Sequence, residues 1–100
     1  MNTQPIHVFA RWQVKPEHLE TVLGLLPEVV RQSTSENGNL FYQIHQDNAD
    51  PNVLILFEGY TDENALQDHR DSDYFQDIVI AKIVPLLEKR ELNLTTPMSI

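Results

Sequence analysis

Three side chains able to move protons fall within one short stretch of the chain: Glu58, Tyr60 and His69. Two residues apart in an extended segment, Glu58 and Tyr60 share a face. A carboxyl among apolar neighbours needs a hydrogen-bonding partner or takes a raised pKa. An imidazole titrates near neutrality and can give or take a proton at either ring nitrogen. An acid, a phenol and an imidazole converging at the mouth of one cleft would suit general acid–base chemistry. Each also has a purely structural alternative. Glu58 can satisfy a backbone or partner-chain group, His69 can be a half-buried helix histidine, and Tyr60 can be a core aromatic with its hydroxyl bonded.

The elements that must position these groups follow from periodicity. Val53 to Tyr60 is rich in β-branched and aromatic residues and too short for a buried helix, so it reads as a strand. Its alternation puts Leu54, Leu56, Glu58 and Tyr60 on one face and Val53, Ile55, Phe57 and Gly59 on the other. Thr61 is suited to cap a helix with Asp62 and Glu63 in its first turn. Ala65, Leu66 and His69 would then face inward, with His69 approaching the strand from the first turns of that helix. Earlier, Ile6 to Val14 alternates as a first strand, with Ile6, Val8, Ala10, Trp12 and Val14 on one face. Leu19, Val22, Leu23, Leu26, Val29 and Val30 give an amphipathic helix to about Ser33, entered through Pro16 and kinked or broken at Pro27. Asn37 or Gly38 is expected to close it in a left-handed conformation. Asn39 to Gln46 is a second strand, joined to the third by the turn-rich Asp47–Pro51 connector. Ser72 or Asp73 restarts a helix carrying Phe75, Ile78, Val79, Ile83, Leu86 and Leu87, interrupted at Pro85. Lys89 to Thr95 is the last strand.

This order is β-α-β twice over, which predicts an α+β fold: a ferredoxin-like βαββαβ unit with a four-stranded antiparallel sheet and helices on one face. The uncovered face would carry Val53, Ile55 and Phe57, or else their alternating neighbours, a patch too apolar for an ordinary monomer. A face-to-face homodimer closing into an α+β barrel is the simplest cover. An apolar pocket between sheet and helices is expected, with Tyr42, Trp12 and Phe75 as pocket-lining or core aromatics beside Tyr60.

Composition narrows the function. One hundred residues with 41% hydrophobic and 22% charged side chains suit a single soluble domain spanning 1–100. The net charge of −8 disfavours nucleic acid and anionic membranes, which call for clustered cations. Without cysteine there are no disulfides, thiolate nucleophiles or thiolate metal sites. His7, His18 and His45 lie in separate segments without metal-ligand spacing, and Gly24, Gly38 and Gly59 are isolated rather than gathered in a phosphate loop. No bound metal, flavin or haem is expected. Met1 to Pro5 lacks the basic and apolar regions of a signal peptide, so a cytoplasmic location is the default.

The ordered residues Glu36-Asn-Gly38-Asn39-Leu-Phe-Tyr42, Gln46-Asp47, Phe57-Glu58-Gly-Tyr60, Ala65-Leu66, His69, Ser72 and Phe75 resemble the antibiotic biosynthesis monooxygenase domain over about residues 6–95. That resemblance implies a dimeric α+β barrel and cofactor-independent oxygenation of a quinol-like or other enolisable aromatic molecule. It would make Glu58 and His69 the catalytic groups and Tyr60, Tyr42, Trp12 and Phe75 the substrate-binding ones. Two residue sets of the family are mostly missing. The aromatic-ketone oxygenases' Asn, Trp and Tyr fall on Leu56, Tyr60 and Leu66, and the haem degraders' Asn, Trp and His fall on Ala10, His69 and Val79. Tyr60 after Glu58-Gly59, with the Gly38–Leu40 run, is more similar to the isomerase branch. Isomerisation of a small carbonyl metabolite, or small-molecule binding without catalysis, therefore stays open beside oxygenation.

Overall fold

The computed structural model describes residues 4–100. Met1–Thr3, part of the N-terminal stretch read above for signal-peptide character, lie outside the described residues. The elements run β1 (Ile6–Val14), a 3₁₀ turn (Pro16–His18), α1 (Leu19–Thr34), β2 (Asn39–Gln46), β3 (Val53–Tyr60), α2 (Glu63–Asp71), a π-helical segment (Phe75–Ile83), a second 3₁₀ turn (Val84–Leu86) and β4 (Leu87–Thr95). The strands form one antiparallel sheet in the order β2-β3-β1-β4. This is the ferredoxin-like α+β arrangement that the repeated β-α-β pattern predicts. No helix among the described residues is long and apolar enough to cross a membrane.

Register explains the core. Ile6, Val8, Ala10 and Trp12 of β1 stand opposite Tyr60, Glu58, Leu56 and Leu54 of β3, so the inward faces of the two central strands coincide. Val8, Ala10, Trp12, Leu54, Leu56, Glu58 and Tyr60 are all buried. Val22, Leu26 and Val29 of α1, with Val79 and Ile83 from the π-helical segment, close the other side of the main core. Each of these aliphatic side chains contributes about 1.5–3 kcal/mol by leaving water.

Four local expectations are corrected. The helix-capping side chain is that of Asp62, not Thr61: its Oδ1 accepts from the Ala65 N–H at 2.8 Å. Thr61 instead donates its own N–H to the Gly38 carbonyl at 2.9 Å. Helix α1 runs through Pro27 unbroken. Pro27 and Leu23, whose carbonyl loses its usual donor, both lie on the exposed face, where water can replace the bond. No described residue, Asn37 and Gly38 included, has a left-handed backbone. The chain leaves α1 through tight turns, with the Glu36 N–H on the Ser33 carbonyl and the Asn39 N–H on the Glu36 carbonyl. Finally, the last helical stripe is π rather than α, with the Val84 N–H reaching back to the Val79 carbonyl. Phe75, Val79 and Ile83 recur at strict four-residue intervals, a spacing that suits a turn wider than 3.6 residues.

Gly38 is required for space rather than for backbone freedom. A Cβ there would overlap the Ala65 methyl, whereas a Cβ at Gly24 meets nothing within 4 Å. Gly38→Ala should therefore lose about 1–3 kcal/mol of unfolding free energy through overpacking. Gly24→Ala, in the interior of α1, should gain about 0.5–1 kcal/mol. Urea denaturation of the two variants beside the parent checks both signs.

Candidate functional site

β3 supplies the acid and the phenol. Both point into the core, and the Tyr60 hydroxyl donates to Glu58 Oε1 at 2.6 Å. Glu58 is 6% exposed and Tyr60 fully buried, so the acid is enclosed rather than set at an open mouth. Burial pushes the Glu58 carboxyl from 4.5 up to about 7, against the opposing pull of the Tyr60 hydrogen bond and of Arg70 and Arg90. Burial and the neighbouring Glu58 both push the Tyr60 phenol upward, which keeps it a neutral donor.

His69 comes from the last turn of α2, not from its first turns, because the cap at Asp62 and the extended backbone of Ser72 confine that helix to Glu63–Asp71. Leu66 packs with Val8 and Tyr60, joined by Ala65, in a small second core that fixes α2 on the sheet. This rotates His69 inward, with its Nε2 3.9 Å from Glu58 Oε1. The imidazole is 2% exposed, and burial lowers its pKa against the raising effect of Glu36. Its ring is walled by Phe75, Tyr60 and Tyr42, with centroids 5.0, 5.1 and 6.0 Å away. Five of the six sequence-selected residues thus meet at one place. Trp12 is the exception. It belongs to the main core four residues along β1 from Val8, and its buried Nε1 has no hydrogen-bond partner among the described residues.

Sequence reasoning missed Glu36, Tyr74 and Ser33. Glu36 follows α1 and places its carboxylate oxygens 3.1 and 3.2 Å from His69 Nδ1. Tyr74 donates its hydroxyl proton to Glu36 Oε2 at 2.6 Å, while its oxygen lies 3.0 Å from His69 Nδ1 and 2.9 Å from Ser33 Oγ. The only signal for Glu36 was its place in the Glu36-Asn-Gly38 run. Tyr74 sits five residues after His69, a spacing that one helix would not bring to the same face. The extended Ser72 between α2 and the next helical segment reorients it.

An open cleft lies beside this network, outside the sheet–helix interior, and polar residues predominate along it. Its volume is about 830 Å³, and Glu36 and Tyr74 line it together with Asp62, Asp68, Asp73 and Asn64. Glu58, Tyr60 and His69 lie behind that wall. Among the described residues no three His, Asp or Glu side chains are grouped to hold a metal ion.

Comparison with known proteins agrees with this fold. The chain belongs to the antibiotic biosynthesis monooxygenase family, whose model matches residues 5–80. It is 32% identical to Rv0793 of Mycobacterium tuberculosis, provisionally named a monooxygenase, over 73% of this chain and 71% of that protein. YcnE of Bacillus subtilis, named in the same provisional way, is 31% identical over 67% of this chain and 70% of its own length. A conserved protein of Methanosarcina mazei superposes with a TM-score of 0.87 at 30% identity, covering 93% of this chain and 92% of its own. The solved structure of Rv0793 gives 0.89 at 25% identity, covering 96% and 97%.

The raised pKa of Glu58 has a consequence for stability. A carboxyl that binds its proton more tightly folded than unfolded adds stability that is full below about pH 4.5 and lost as pH rises through about 7. The loss is on the order of 3 kcal/mol. Glu58→Gln should match the parent near pH 4 and exceed it in stability above pH 7. Denaturation midpoints measured across that range check the crossover.

Proposed function

We propose that this protein is a cytoplasmic homodimer that oxygenates a quinol-like or other enolisable aromatic molecule without a resident cofactor. The observation that supports this best is the buried pair of Glu58, with a pKa near neutrality, and a neutral His69 3.9 Å away. A group titrating near the working pH is an effective proton acceptor. Removal of a proton from the substrate leaves an electron-rich anion, which can reduce oxygen directly in a site shielded from water. For an activated CH₂ the balance is simple: one atom of O₂ becomes the new carbonyl oxygen and the other leaves as water with the two hydrogens. Tyr60, held neutral, serves as a hydrogen-bond donor beside the base, while Tyr42 and Phe75 supply aromatic walls. The provisional monooxygenase names of the two relatives support the reaction class.

The dimer rests on the other face of the sheet. Phe9, Phe41, Phe57 and His7 form an aromatic cluster there, with Phe9 stacked on Phe57 at 4.7 Å and still 42% exposed. Val53, expected in that open patch, is already buried where the 47–52 connector folds back onto it through the Val53 N–H to Asp50 carbonyl bond. A second copy would cover the remaining aromatics and bury on the order of 2,000 Å² in total. Phe57→Glu should therefore shift the protein from dimer to monomer in sedimentation velocity; a parent already monomeric at micromolar concentration would remove this assembly.

Activity is tested with an oxygen electrode and a panel of quinols and anthrones. Oxygen uptake is expected from the parent, reduced about 10²–10⁴-fold by Glu58→Gln or His69→Gln in folded protein. Substrate conversion without oxygen uptake would point to isomerisation, and binding without conversion to a carrier.

A further inference from the structure

We infer that Glu36 and Tyr74 are positioning residues that hold the ring proton of His69 on Nδ1, so that Nε2, facing Glu58, is the atom through which His69 exchanges protons. The count of donors requires it. Tyr74 has one hydroxyl proton, and at 2.6 Å that proton belongs to the Glu36 carboxylate. Ser33 can give its own proton to the Tyr74 oxygen at 2.9 Å. His69 Nδ1 then faces three oxygens at 3.0, 3.1 and 3.2 Å: the Tyr74 hydroxyl, whose proton is committed elsewhere, and two carboxylate oxygens that carry none. A bare Nδ1 would set lone pair against lone pair in a buried site. A protonated Nδ1 satisfies all three contacts. The remaining nitrogen, Nε2, is left with its lone pair toward Glu58 Oε1 at 3.9 Å.

The groups facing His69 come from every element around it. They are Tyr42 of β2, Glu58 and Tyr60 of β3, Glu36 from the turn after α1, Tyr74 and Phe75 from the chain beyond α2, and Arg70 on its own helix. Of these, only the Glu36–Tyr74 pair touches Nδ1. Glu36 also lines the polar cleft, so one carboxylate touches both the buried imidazole and open solvent. The tautomer itself is independent of the proposed reaction; its value for catalysis rests on that reading.

Two-bond ¹H–¹⁵N spectra of labelled protein, with His69 assigned through His69→Gln, read the tautomer directly. The parent should show His69 neutral and protonated on Nδ1 at pH 7.5. Glu36→Gln, whose amide can donate to Nδ1, should move the proton to Nε2 and lower the imidazole pKa. Asp68→Asn takes the same charge from the cleft wall, makes no hydrogen bond or ion pair with His69, and should change neither. An Nε2-protonated imidazole in the parent, or an unchanged tautomer in folded Glu36→Gln, would overturn the assignment. The parent spectrum alone decides it if the variant fails to fold. If the tautomer is as stated and no oxygen is consumed, the positioning stands and the oxygenase proposal falls. Where turnover is measurable, the rising limb of kcat/KM against pH should move to lower pH in Glu36→Gln and stay in place in Asp68→Asn.

Discussion

The turn after α1 approaches α2 so closely that no side chain fits at Gly38. A Cβ there would overlap Ala65, and the Gly38 carbonyl is already bonded to the Thr61 N–H at the end of β3. Much else follows from this contact. It holds the 35–38 turn against the start of α2, and the same turn carries Glu36. Ala65 and Leu66 pack with Tyr60 and Val8, which fixes the rotation of α2 and so the direction of His69. The second α-helix, the turn and the end of β3 are therefore positioned together. A close-packed interior transmits such constraints because it has little free volume to absorb a shift.

Within that frame one series of buried and half-buried polar groups runs from Ser33 through Tyr74, Glu36 and His69 to Glu58 and Tyr60, hydrogen-bonded at each step except the 3.9 Å approach of His69 to Glu58. The two carboxyls occupy different surroundings. Glu36 lines an open cleft and accepts a hydrogen bond from the Tyr74 hydroxyl, while Glu58 lies in the core with a phenol and burial pushes its pKa up to about 7. The two acids on either side of one imidazole thus differ in their surroundings, and burial is the largest cause of the raised Glu58 pKa.

The sheet has two faces with unlike fates. The helical layer covers β1 and β3 well but leaves β4 bare: none of its nine residues is buried, and Leu92 and Leu94 on the helix side are 39% and 52% exposed. On the opposite face the aromatic cluster around Phe57 has no cover in the protomer. A Cβ at Gly59 would overlap the Phe41 ring, so that glycine makes room for the ring to lie flat across β3. Apolar surface on both an edge strand and a sheet face is more than an ordinary monomer leaves open.

The sequence by itself determined the element order, the division of each strand into two faces and the placing of Glu58 and Tyr60 on one of them. All of these depend on periods of two or three to four residues that are written locally. It also placed His69 on the inward side of α2, because Ala65, Leu66 and His69 share a helical face. What it did not carry were Glu36 and Tyr74. Glu36 is separated from His69 by more than thirty residues, and Tyr74 follows a break whose angle is set by packing rather than by any local signal. The left-handed closure expected at Asn37 or Gly38 failed for the same reason. The glycine is there to admit Ala65, a contact that exists only once the turn and α2 have met. Likewise the pKa of Glu58 was legible as a question, since an acid on an apolar strand must be paired or neutral. Its answer depended on how deeply the fold buries the carboxyl, and only the tertiary structure decides that depth.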